Sequence, residues 1–371
     1  MSAKKQKSGI IELMRFLFAV EIVLFHFKRK QHTGRILPFI HYDFFNRGYI
    51  GVEFFFLLSG LLMAASIYKR VRADSSPLAV TDHLGSETAA YVWKKYTRLF
   101  PQHMVAFVLI YLVLVVGRRL FLQPVAWASF TVRSIPGFFL IQKLGWNMNN
   151  INSVEWYISA MLIAMLVVYP LCRRFYDLFT CLIGPFGGLA ILGWLYFQYG
   201  TFNGASTWTG HIFVCVLRAI AEISLGCGAY EAARRLGERS FTESQSKKLT
   251  LLEYLGFALG LLFGLSNIGR DYEYLALLVM MVSIILAFSG ITQDAVFNND
   301  VCYRLGSWSL PVYLAQLAGI YFVVYFCSGL PYGVRFLLTV LSCAVATFLV
   351  LKGGSWIQAQ IDKRKTEVAN A

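Results

Sequence analysis

Apolar residues in this chain gather into blocks of roughly 18 to 22, separated by short polar stretches, and that length crosses ~30 Å of hydrocarbon at ~1.5 Å per helical residue. Ten such blocks fall at 10–27, 48–68, 100–117, 153–171, 178–199, 211–229, 249–268, 273–290, 310–328 and 333–351. The pattern predicts an all-α fold: a polytopic transmembrane helical bundle of about ten spans. Only Gly269-Arg270-Asp271-Tyr272 separates the seventh block from the eighth, and only Gly329-Leu330-Pro331-Tyr332 the ninth from the tenth. Each pair is expected to be a tight antiparallel hairpin. The stretch Trp127–Leu144 differs, because Arg133, Pro136 and Lys143 interrupt a short apolar run; it predicts an interfacial or re-entrant element rather than a span. Residues 1–371 read as one membrane-embedded domain with no fused soluble domain.

Composition agrees: 57% of residues are hydrophobic and 15% charged, more apolar surface than a soluble domain hides. The net charge of +14 raises nucleic acid as a partner, but the basic residues are scattered along loop edges instead of gathered on one domain. Anionic lipid headgroups are the expected partner and nucleic acid is not. Counting Lys and Arg on alternate sides gives 21 inside against 10 outside when the N-terminus is cytoplasmic, which places both termini in the cytoplasm. The first block carries Arg15 and Glu21 and is followed by no small-residue cleavage site, so it reads as a span and not a signal peptide. None of the seven cysteines forms a Cys-x-x-Cys pair; they read as apolar fillers, and no metal site is expected.

Ionisable residues inside a span are costly and mark candidate sites. The first span holds Arg15, Glu21 and His26. Eleven helical steps of ~100° bring His26 back to within ~20° of Arg15, so one stripe carries both, ~16 Å apart along the axis. Either the stripe is functional, or Arg15 pairs with Glu12 and His26 caps the outer interface. Glu21 faces elsewhere and is expected to meet a basic or hydroxyl group on a neighbouring span. In the second span, Glu53 either orients a catalytic group or makes an ion pair with Arg15 or Arg218.

Arg15-x10-His26 on a first span resembles the opening signature of the acyltransferase-3 membrane proteins, which O-acylate bacterial surface polysaccharides and similar acceptors. The resemblance continues through Gly51-Val52-Glu53-Phe54-Phe55-Phe56-Leu57-Leu58-Ser59-Gly60 and Tyr96-Thr97-Arg98-Leu99-Phe100-Pro101. Further along come Trp156-Tyr157-Ile158-Ser159, Arg218 with Leu225-Gly226, and Leu305-Gly306-Ser307-Trp308-Ser309 with Val312-Tyr313-Leu314. Three positions depart from the pattern. Gln316 stands where the family often has histidine, Met161 where it often has an acid, and Lys95-x-x-Arg98 where it often reads Arg-x-x-Arg. The first two positions are therefore not expected to be catalytic.

The resemblance implies a multi-pass protein of the bacterial cytoplasmic membrane that moves an acyl group, most often acetyl, from cytosolic acyl-CoA to a hydroxyl of a cell-surface glycan. Such transfer needs a base for the hydroxyl proton, and the imidazole of His26 suits it. Glu53 is expected to orient that imidazole, as the third member of a triad does. Lys95 and Arg98 are expected to hold the donor phosphates, with Arg15 gripping the donor arm or polarising the thioester oxygen. Two outer segments mix aromatic, amide and hydroxyl groups suited to sugar: Trp146-Asn147-Met148-Asn149-Asn150-Ile151-Asn152, and Tyr199 to Trp208. The alternative is a transporter or flippase, for which Arg218–Glu222 and Arg335 mark a substrate path.

Overall fold

The computed structural model describes residues 8–31, 44–73, 83–145 and 151–369. The segment 146–150, part of one predicted sugar-binding loop, lies outside the described residues, as do Lys4, Lys5, Lys7 and Arg35 of the charge count.

The described residues are predominantly helical. In chain order the helices are α1 (Gly9–Gln31), α2 (Gly51–Ala73), α3 (Leu84–Gly117), α4 (Pro124–Phe138), α5 (Trp156–Arg174), α6 (Gly184–Tyr199) and α7 (Val214–Gly237). Then follow α8 (Glu243–Leu265), α9 (Glu273–Ser289), α10 (Asp300–Phe326) and α11 (Tyr332–Ala369). Among the described residues, eight helical segments are long and apolar enough to cross a membrane. The helices α1 and α7 are as long, at 23 and 24 residues, but carry three or more ionisable residues in every window of spanning length. The interrupted stretch becomes α4, a helix of only 15 residues, as the pattern predicts.

Helix ends overshoot the apolar blocks. α3 begins at Leu84, sixteen residues before its block, because Glu87 in its first turn accepts from Tyr169 (2.6 Å), Arg173 (3.0 Å) and Arg70 (3.0 Å). α11 runs on through charged residues to Ala369. Hydropathy marks the part of a helix that lipid covers, whereas backbone hydrogen bonding continues into water.

The chain forms two compact units. The first comprises Met1–Ile22, Phe44–Val92 and Ala160–Ser307. Here α2 and α7 touch backbone to backbone: a Cβ on Gly60 would lie 2.0 Å from the Ile223 carbonyl oxygen, and one on Gly226 would lie 2.1 Å from that of Leu57. Small residues permit such close approach between membrane helices. The strings ending in Ser59-Gly60 and Leu225-Gly226 thus mark a single packing seam. Phe18 stacks on Phe54 with ring centroids 4.7 Å apart, and Phe257 closes the cluster edge-on.

The second unit comprises Val23–Asp43, Trp93–Ser159 and Trp308–Ala371. Gly319 of α10 lies against the Cys343 backbone of α11, where a Cβ would come within 2.6 Å of its nitrogen. Phe27 of α1 packs between Tyr332 and Phe336 of α11. The apolar window of α10 is 61% buried, against 17% for α11.

Candidate active site

His26 lies in the second unit, half-buried, near the end of α1. Its Nδ1 is 3.1 Å from Oε1 of Gln316 on α10. Gln316 is fully buried, and its Nε2 donates to the Tyr313 carbonyl at 2.8 Å. A carbonyl only accepts, so this bond fixes which end of the amide faces His26. For a neutral ring the acceptor Oε1 selects the tautomer with hydrogen on Nδ1, in which Nε2 is a proton acceptor. Gln316, set aside because the family often has histidine there, is thus the residue that orients the imidazole.

Glu53, expected to orient that imidazole, has an ion-pair partner of its own. In the first unit, Arg218 Nη2 lies 2.5 Å from Glu53, Arg218 Nε 2.8 Å from Glu222, and Arg218 Nη1 donates to the Phe202 carbonyl at 3.0 Å. All three side chains are buried. Of the two ion-pair partners open to Glu53 in the sequence, the structure selects Arg218. Glu273 stands close by, accepting from the Tyr49 hydroxyl, the Thr201 hydroxyl (3.0 Å) and the Phe202 amide (2.8 Å).

Arg15 pairs with Glu12 at 2.7 Å, one helical turn earlier, and keeps 30% of its side chain exposed. Glu21 differs from expectation. Among the described residues neither of its carboxyl oxygens has a hydrogen-bond partner, although the side chain is buried. It packs against Gly264, where a Cβ would fall 1.9 Å from Oε1, and the Gly264 carbonyl is itself taken by the Arg47 amide. That glycine surface offers Glu21 room but no donor.

Lys95 and Arg98 lie three residues apart on α3, hence on one face, and Arg98 is exposed. Arg70 is tied to Glu87, as given above, which leaves it less suited to a ligand. Of the two aromatic, amide-rich segments, Thr201 and Phe202 are buried, while Trp208 is exposed and meets the Phe213 ring edge-on.

One constellation escaped the sequence reading. His103 Nδ1 is 2.8 Å from Glu155 Oε1, and His103 Nε2 is 2.8 Å from the Phe138 carbonyl, with both side chains fully buried. Asn152, the last residue of one aromatic, amide-rich segment, donates to Glu155 at 2.9 Å and to the Leu314 carbonyl at 2.9 Å. Its signal in the sequence is Glu155, an acid inside the fourth apolar block, immediately before Trp156-Tyr157 and six residues ahead of Met161.

Residues 9–351 match a family model described as an acyltransferase domain, that of the acyltransferase-3 family. None of the curated proteins compared with the chain matches it. No solved structure matches it either. With the family model spanning all but the ends of a multi-pass helical bundle, the chain belongs to the acyltransferase-3 family of membrane acyltransferases.

Proposed function

We propose that this protein is a membrane O-acyltransferase that moves an acyl group, most simply acetyl, from cytosolic acyl-CoA to a hydroxyl of a cell-surface glycan, with His26 as general base. The observation that carries this reading is the Gln316 amide on His26 Nδ1, which leaves Nε2 as the proton acceptor. As the acceptor oxygen attacks the thioester carbon, Nε2 takes its proton. The carbon–sulfur bond then breaks, and the proton passes to the leaving thiolate, so no net charge is left behind. In this scheme Glu53 is the partner of Arg218, and the amide of Gln316 holds the imidazole.

In the same reading the exposed Arg98, with Lys95 beside it on α3, binds the phosphates of the donor. Phosphate contacts far from the reacting carbon are made equally in ground and transition states. Arg98→Ala is therefore expected to raise KM for acetyl-CoA while leaving kcat nearly unchanged. Steady-state assays in detergent check this, and a fall in kcat at unchanged KM would remove Arg98 from donor binding.

The scheme also assigns a side to each substrate, with the donor at the cytoplasmic face of a bacterial inner membrane and the acceptor beyond it. Both Ser206 and Ser240 are exposed in loops. With the native Cys181 and Cys327 replaced, Ser206→Cys is expected to react with a membrane-impermeant maleimide from outside the cell and Ser240→Cys only after lysis. The reverse labelling would exchange the two faces.

A further inference from the structure

The buried His103–Glu155–Asn152 group has no role in the chemistry just described, yet it stands next to the element that orients the base. We propose that it is a positioning clamp, which fixes the turn of α10 bearing Gln316 and thereby the tautomer and direction of His26. The inference rests on the reading of His26 as the base.

The chain of contacts runs within the second unit. Asn152 donates from one amide nitrogen to two acceptors, Glu155 Oε1 and the Leu314 carbonyl, each at 2.9 Å. One residue earlier on α10, the Tyr313 hydroxyl donates to the Val154 carbonyl. The short turn Ser153–Glu155 and its preceding cap residue Asn152 thus grip α10 at two consecutive residues. The Tyr313 carbonyl receives Gln316 Nε2, and Gln316 Oε1 meets His26. Every link from Asn152 to the imidazole is a hydrogen bond, except the helical backbone between Leu314 and Tyr313.

The turn is held from behind. Phe138 O only accepts, so His103 Nε2 carries a hydrogen, and the 2.8 Å contact between Nδ1 and Glu155 Oε1 then encloses one further proton. Whichever atom owns it, the pair is hydrogen-bonded as a unit and cannot be loosened at one end without leaving a buried polar group unmet. Gln142 Nε2 adds a bond to the Glu155 carbonyl at 3.2 Å. Packing alone would need none of this: an apolar residue at 103 and at 155 would fill the same space at lower desolvation cost. Donors and acceptors give what packing does not, namely a fixed rotation of the α10 turn.

The experiment compares the full-length protein with Asn152→Ala, Glu155→Gln and Tyr313→Phe. It reads kcat, KM for acetyl-CoA, and the His26 tautomer from nitrogen shifts of 15N-histidine-labelled protein in detergent. The chain has six histidines, and His26→Gln identifies the His26 signal. Wild type is expected to show hydrogen on Nδ1. Asn152→Ala should lower kcat on the order of 10- to 100-fold, the effect of a small misplacement of a reacting group. KM should stay within about twofold, because donor contacts are unaltered. The His26 signal should move toward the Nε2-hydrogen form that imidazole favours in water. Tyr313→Phe, which deletes a single hydroxyl, should show the same split to a smaller degree, and it carries the test if Asn152→Ala is not recovered folded. Folded Tyr313→Phe and Glu155→Gln proteins with wild-type kcat and tautomer would overturn the clamp. If His26→Gln is itself active, the base assignment fails first; if it is inactive while the clamp variants behave as wild type, only the clamp fails.

Discussion

His26→Gln is expected to lower acyl transfer by roughly 10²- to 10⁴-fold, the usual worth of a general base, in a protein that still inserts and stays folded. Glutamine keeps the polarity and approximate size of the imidazole, and its amide can still hydrogen-bond to Gln316. It cannot take up a proton. If His26 merely capped an interface, glutamine would serve nearly as well, so the substitution separates a chemical role from a structural one. Turnover per folded molecule, measured with purified protein after size-exclusion chromatography, is the appropriate readout. Gln316→Leu adds a graded control, because it removes the acceptor that selects the Nδ1 tautomer while leaving His26 in place. An intermediate loss is expected there, smaller than for His26→Gln.

The largest effect on stability is expected at Arg218. Its guanidinium is 1% exposed and serves Glu53, Glu222 and the Phe202 carbonyl at once. Arg218→Met preserves much of the volume but strands two carboxyls, a type of change that costs about 3–5 kcal/mol for a buried pair. Loss of folded protein at ordinary extraction temperatures should follow. Arg218→Lys is expected to rescue only in part, since a single ammonium lacks the planar fork that reaches acceptors in three directions. Adding Glu53→Gln and Glu222→Gln to Arg218→Met removes the stranded charges and should recover much of the lost stability, as read by thermal unfolding in detergent. Equal instability of Arg218→Met with and without those two changes would show that shape, and not charge compensation, governs this site.

Much of the fold was legible because hydrocarbon imposes a length on every span. The apolar blocks locate the helices, and the interruptions at Arg133 and Pro136 distinguish the short α4 from them. Where each helix stops was less legible, because ends such as that of α3 are set by a polar anchor. Glu87 meets Tyr169 and Arg173 more than eighty residues away. The same limit governed the site. The i, i+4 pair of Arg218 and Glu222 is visible in a sequence, but its extension to Glu53, 165 positions earlier, belongs to tertiary packing. Gln316 was set aside for departing from a pattern, although an amide can orient an imidazole by the same hydrogen bond. Glu155 is legible as a costly acid inside an apolar block, but its partner His103 lies 52 positions away and is fixed by packing.

The central claim, that this chain transfers an acyl group to a surface hydroxyl, is tested most directly by mass spectrometry of surface glycans. The comparison is between cells carrying the wild-type chain, cells carrying His26→Gln, and cells lacking the chain. The account requires an added acyl mass, released by mild alkali, in the first cells and its absence in the other two. Identical acylation in all three, with glycan of unchanged composition retained inside cells that lack the chain, would contradict it and identify a carrier instead of a transferase.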